Sequence, residues 1–153
     1  MKWIKFIAVG FFILLFSLIP TGASIAAPET FRLVLYGNDE DGFFDEEGNQ
    51  LNGQVYEVTR GTQVEIVLRF AGEMDPEVEE EHFVNMKLMR KADGTKPKKT
   101  TVVKKFETID ALRKESIMRW TAGEFGEKSL KLFCKTDCDG MDYMDNIKII
   151  VTD

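Results

Sequence analysis

The sequence predicts an all-β domain, a sandwich or small barrel with one short helix, behind an N-terminal leader. Three observations carry this. From residue 31 onward most segments repeat their apolar residues at period two, the signature of half-buried strands. Gly-rich or Asp-rich stretches punctuate these segments at short intervals, as turns do between strands. Without the leader about 126 residues remain, enough for one compact core.

The leader comes first. Lys2 and Lys5 open it, Phe6 to Ile19 is almost unbroken apolar sequence, and Pro20 and Gly22 end the run. Small residues follow at Ala23, Ser24, Ala26 and Ala27, the pattern of a secretory signal peptide. Its roughly 14 apolar residues fall short of the ~20 that a membrane span needs. Cleavage is therefore expected near Ala26 or Ala27, giving residues 1–27 as signal peptide and 28–153 as the domain; the alternative is that the segment stays uncleaved as an N-terminal anchor. The mature domain is expected in the periplasm or outside the cell, with no membrane insertion once the leader is gone.

Phe31, Leu33 and Leu35 then alternate with Arg32, Val34 and Tyr36, ahead of turn residues Gly37-Asn38. Gln54 to Thr59 reads as a second strand, and Arg60-Gly61 as a tight turn into Val64, Ile66, Leu68 and Phe70, together a β-hairpin. Further strands are expected over Phe83 to Met89, Thr101 to Phe106, Ile117 to Thr121, Ser129 to Cys134 and Ile147 to Thr152. The helix is expected within Glu107 to Glu115, with Ile109 and Leu112 as its apolar positions and Thr108 as a cap. Alternation puts Leu130, Leu132 and Cys134 on one side, facing the core. Met86, Met89 and Met118 fall on strand patterns and read as core.

Charge narrows the function. The chain carries −6, and loss of residues 1–27, which hold two lysines and no acid, makes this about −8. Such a balance opposes nucleic acid, whose phosphates it would repel. Asn38 to Asn49 and Glu73 to Glu81 are acidic and Lys91 to Lys105 is basic, as solvated loops are. Asp39, Asp41 and Asp45 invite calcium, but Gly42 and Gly48 do not fall where a calcium loop needs its glycine. Nor does an enzyme emerge. His82 is the single histidine, so no nucleophile has a second one as base, and no glycine-rich phosphate loop is present.

The chemistry gathers near the end, in Cys134-Lys-Thr-Asp-Cys138-Asp-Gly-Met141-Asp-Tyr-Met144. These are the only two cysteines, with two thioethers just beyond them. Thiolates and thioethers are soft ligands that suit Cu(I), and His82 would supply a nitrogen donor. The same cysteines could instead close a Cys134–Cys138 disulfide, which an oxidising compartment allows. The domain would then be a metal-free binding module, offering its acidic face to a basic partner.

From Phe31 to Asp153 the order of the pieces resembles the cupredoxins, and most closely the branch with the binuclear CuA centre of cytochrome oxidase subunit II and nitrous oxide reductase. Asp41-Gly-Phe43 precedes a strand, and Val58-Thr-Arg-Gly-Thr-Gln-Val64 is similar to the family's V-x-x-G-x-x-V turn. Glu81-His82-Phe83 stands where the family has its first histidine ligand. Trp120-Thr-Ala-Gly-Glu-Phe-Gly126, Leu130, Leu132 and Phe133-Cys134 resemble the strand-turn-strand that delivers the first cysteine. The spacing from Cys138 to Val151 matches the ligand loop and closing strand. The resemblance implies a Greek-key β-sandwich in which Ser129–Cys134 and Ile147–Thr152 are adjacent strands joined by the cysteine loop. It implies a redox or copper-handling protein as partner, and His82, Cys134, Cys138 and the Thr136 carbonyl as ligands.

Two CuA positions depart from the pattern. Asp142 stands in place of the second histidine and Asp145 in place of the methionine, with Met144 one residue early. Hard carboxylates are the wrong exchange for a copper electron carrier. The expected site is therefore mononuclear and Cu(I)-favouring: Cys134, Cys138 and His82 with Met141 or Met144, and Asp142 beside them. Tetrahedral Zn(II) suits such a set less well.

Overall fold

The computed structural model describes residues 29–38, 41–72, 81–135 and 145–153. Nine strands form there: β1 (Thr30–Asn38), β2 (Gly42–Phe44), β3 (Val55–Thr59), β4 (Gln63–Phe70), β5 (Val84–Lys91), β6 (Val102–Lys105), β7 (Glu115–Thr121), β8 (Glu127–Cys134) and β9 (Asp145–Thr152). They build two sheets, ordered β2-β1-β4-β7 and β3-β9-β8-β5-β6. The fold is a Greek-key β-sandwich. Its core is the inward face of each sheet: Leu35, Ile66, Leu68 and Met118 from one, Met86, Leu130, Leu132, Ile147 and Ile149 from the other, all buried. Each such side chain contributes about 1.5–3 kcal/mol on leaving water, so this layer holds the fold.

The alternation of β8 runs as expected. Leu130 and Leu132 are fully buried, and Cys134 packs half-buried against the same core. β8 lies antiparallel to β9, with Leu132 opposite Ile147. Met86 and Met118 are core residues, whereas Met89 is only half-buried.

Two expectations need correction. β3 and β4 are not a hairpin. β3 runs parallel to β9 and β4 parallel to β1, in opposite sheets. The Arg60–Gly61 turn crosses the sandwich because its two N–H groups are claimed from opposite sides. Arg60 N donates to the Thr152 carbonyl at the end of β9 (2.8 Å), and Gly61 N to the Ala122 carbonyl just past β7 (2.9 Å). The second correction is the helix, since none forms over Glu107 to Glu115. There Asp110 Oδ1 accepts from Leu112 N (2.7 Å) and Arg113 N (2.6 Å), an Asx-type turn that competes with helix. Of the two apolar positions expected to form the helix's stripe, Ile109 is buried and Leu112 is 84% exposed, so they do not share one buried face.

The short β2 was not anticipated. It holds Phe43, which is fully buried, against Gly37 of β1. The acidic stretch beyond it is internally bonded. Asp45 accepts from the Asn49 backbone (2.8 Å) and side chain (2.9 Å) and from Glu47 N (3.0 Å). The Asn49 side chain above all holds the Asp45 carboxyl below its usual range. That carboxylate serves its own turn.

Candidate metal centre

His82 enters on the short stretch before β5. Its backbone pairs with Ile109: His82 N donates to the Ile109 carbonyl (3.0 Å), and Ile109 N donates back to the His82 carbonyl (3.3 Å). The imidazole is fully buried, its ring 5.8 Å from that of Phe70 at a tilt of 38°. A surface or half-buried histidine, the plain expectation for a lone histidine beside an acidic loop, is not what forms. The chain spends core space on an imidazole.

Cys134 ends β8, directly opposite Val84 on β5. Directly paired residues share a face of the sheet, and so do residues two apart on a strand. Val84 is buried, so His82 and Cys134 both follow it to the inner side, at one end of the sandwich. Backbone bonds fix this. Lys135 N donates to the Phe83 carbonyl (3.0 Å), and the Asn85 side-chain amide donates to that same oxygen (3.0 Å). One carbonyl thus ties the segment after Cys134 to the segment after His82.

Asn85, Phe70 and Ile109 are the residues that sequence reasoning missed. The signal for Asn85 was available: asparagine is disfavoured in strands, and this one stands between Val84 and Met86, both buried. Phe70 and Ile109 carry no comparable mark, since their roles depend on which strand ends meet. Cys138, Met141, Asp142 and Met144, with the Thr136 carbonyl, lie outside the described residues, as does the Cys134–Cys138 disulfide reading. Among the described residues no group of three or more His, Cys, Asp and Glu converges as a metal site. The two donors that are described do fit a soft metal ion: a thiol-bearing and an imidazole side chain, from neighbouring strands, on one face at one end.

The opposite end of the sandwich shows what the Trp120 to Gly126 segment does. Glu127 is fully buried, and its carboxylate accepts from Gly123 N (2.7 Å) and Phe125 N (2.9 Å). It is the internal acceptor that closes this turn. Gly123 lies in the left-handed region at φ +96°, and a Cβ there would meet the Arg60 guanidinium at 2.5 Å.

No family model matches the chain, and no curated protein matches it. Solved structures do. A dithionite-reduced auracyanin from Roseiflexus castenholzii superposes with a TM-score of 0.53 at 7% identity, covering 82% of this chain and 99% of that one. Auracyanin A of Chloroflexus aurantiacus, described as a "blue" copper protein, gives 0.51 at 11% identity over 80% of this chain and 99% of that one. Auracyanin B gives 0.51 at 10% identity, over 83% and 91%. At these identities the likeness is one of fold, and the chain has a cupredoxin-like fold.

Proposed function

We propose that this chain is an exported, non-enzymatic copper-binding protein. It holds one copper ion, preferentially Cu(I), through Cys134 and Cys138 with His82 and one of Met141 or Met144. The observation that carries the proposal is the convergence of His82 and Cys134 on the inner face at one end of the sandwich. The likeness in fold to a blue copper protein supports it. Copper, when bound, supplies a one-electron couple or a transferable soft cation. The protein's own residues hold and exclude. Phe70 and Ile109 shield the imidazole, Asn85 fixes the Phe83 carbonyl that links the two arms, and both arms start from strands, so little reorganises around the ion. With Asp142 and Asp145 in place of a histidine and a methionine, the site is a variant of CuA that holds one ion, not two. Copper handling fits it better than rapid electron transfer, and a redox or copper-handling protein would be its partner. Export through residues 1–27 would bring it to the periplasm or the exterior. A mature N-terminus near Ala27 or Pro28, read by mass spectrometry of the exported protein, would support this.

The test is a Cu(I) titration of the reduced, metal-free protein against a competing chelator. One equivalent should bind, without a mixed-valence chromophore. Binding should weaken at low pH, because the ligands must be thiolates, and vanish on oxidation to the disulfide. Cys134→Ser should cost more than the roughly 10–100-fold that disturbing a metal's outer shell costs, and Asp142→Ala far less. Absence of stoichiometric binding by the reduced protein would overturn the copper reading in favour of a metal-free interaction domain closed by Cys134–Cys138.

A further inference from the structure

The outer faces of the two sheets handle charge in opposite ways. On the four-stranded sheet, cross-strand neighbours alternate in sign. Glu65 lies between Arg32 and Arg119 in register and bonds both, at 2.8 and 2.7 Å, while Arg69 bonds Glu115 at 3.0 Å. On the five-stranded sheet the register sets Lys148, Lys131 and Lys87 side by side across β9, β8 and β5. Strand spacing of ~4.8 Å puts the three within about 10 Å. Half-exposed valines, Val55 and Val102, close the row at its two ends.

Two further observations extend the row into a surface. Residues 84–105 hold eight basic side chains and one acid, in a mature chain whose net charge is about −8. Beside β5 a cleft of about 280 Å³ is lined by Lys87, Lys96 and Lys99 together with Leu88, Met89 and Pro97. Lys87 belongs to both row and cleft, and its ammonium sits 4.3 Å above the Phe133 ring, an arrangement that holds its charge in place.

We infer that this face docks an acidic segment of a partner protein, one that carries carboxylates with an apolar side chain between them. Lysines about 4.8 Å apart on long, flexible side chains can reach carboxylates about 6.8 Å apart on one face of an extended peptide. The mixed apolar and cationic lining of the cleft suits a side chain inserted among them. A bilayer would instead be met by a broad apolar surface, and the exposed large apolar side chains along this sheet, among the described residues, are Val55, Val102 and Phe83, each only about half exposed. The inference concerns the outer face of β5, β8 and β9, and stands whether or not the inward-facing site binds copper.

The test uses the exported protein and a fluorescent ten-residue peptide of aspartate and glutamate with single leucines between them. A peptide with every acid replaced by its amide is the control. The acidic peptide should bind roughly 10-fold or more tightly than the control, and binding should weaken steeply from about 20 to about 200 mM salt. Combined Lys87→Gln, Lys131→Gln and Lys148→Gln should remove that advantage, and so should Lys96→Gln with Lys99→Gln in large part. The triple variant should stay folded, read by circular dichroism and its melting curve, and Lys96→Gln with Lys99→Gln, which leave the row intact, keep the test independent of any loss of stability. Equal binding of the two peptides, or a triple variant that binds like the parent, overturns the proposal. Lysine-dependent binding to vesicles of phosphatidylcholine and phosphatidylserine at about 3:1, tighter than to the peptide, overturns it in favour of a lipid surface.

Discussion

At one end of the sandwich the turns carrying Arg60 and Gly123 close on themselves. The buried Glu127 carboxylate takes two backbone N–H groups, and the Arg60 and Gly61 amides are claimed by the two sheets. At the other end His82 leads into β5 and Cys134 ends β8, their side chains on the inner side, and the Phe83 carbonyl ties the two segments. Both ends contain buried polar groups, but the groups differ in what they complete. Glu127 completes a turn, and its chemistry is used up there. His82 is buried against Phe70 and beside Ile109, and brings an imidazole to that end of the core. Burial alone does not mark a functional group; what the group completes distinguishes the two ends.

The largest expected effect tests the first half of that contrast. Glu127→Ala should destabilise the domain by about 2–4 kcal/mol, since two backbone donors lose their acceptor at once. Chemical denaturation should show this as a lower midpoint with an unchanged slope. Copper stoichiometry below the transition should not change. If Glu127→Ala instead weakened copper binding in folded protein, the two ends would not be independent and the contrast would fail.

Asn85→Ala probes the other end with a smaller effect. Its amide donates to one carbonyl, which keeps the Lys135 N–H as partner, so the stability loss should be about 1–2 kcal/mol. Copper affinity should fall by roughly 10-fold, as when an outer-shell support is lost, and Asn85→Asp should not restore it because a carboxylate cannot donate. A loss of stability with unchanged copper affinity would make Asn85 a structural clamp only.

How much of this was legible in the sequence differs between the two ends as well. The strands were, because period two survives in β1, β4, β8 and β9, and the facing of Leu130, Leu132 and Cys134 followed from it. The Arg60–Gly61 turn was misread, since a tight turn between two strands looks the same whether it closes a hairpin or crosses between sheets. What decides is which distant carbonyls, Thr152 and Ala122, receive its N–H groups. The helix over Glu107 to Glu115 failed on Asp110, whose side chain captures the very amides a helix would need. At the site, His82 and Cys134 were legible as donors by type. Their shared face came from the pairing of Val84 with Cys134, which no local pattern encodes. Met141, Asp142, Met144 and Cys138 lie outside the described residues, so the donor set rests there on sequence.

The smallest expected effect lies at the closed end, where Arg60 bonds Asp153 at 2.8 Å. The hydrogen bond from Arg60, and then its charge, hold the Asp153 carboxyl below the usual aspartate range. A carboxyl depressed in the folded state contributes stability that is fully present above its unfolded value of about 3.9. That contribution is lost as pH falls through the folded value, so the pair matters only on the acid side. The Asp153 side chain is 89% exposed, and solvent screens such a pair strongly. Asp153→Asn should therefore leave the melting temperature at pH 7 nearly unchanged. It should slightly flatten the fall in stability below about pH 4, and high salt should erase the difference. Arg60 would keep its packing on Gly123 in this variant, which separates charge from contact. A large loss at pH 7 would mean that Asp153 anchors the end of β9 through more than its charge, and that the closed end depends on its exposed pair as well as on Glu127.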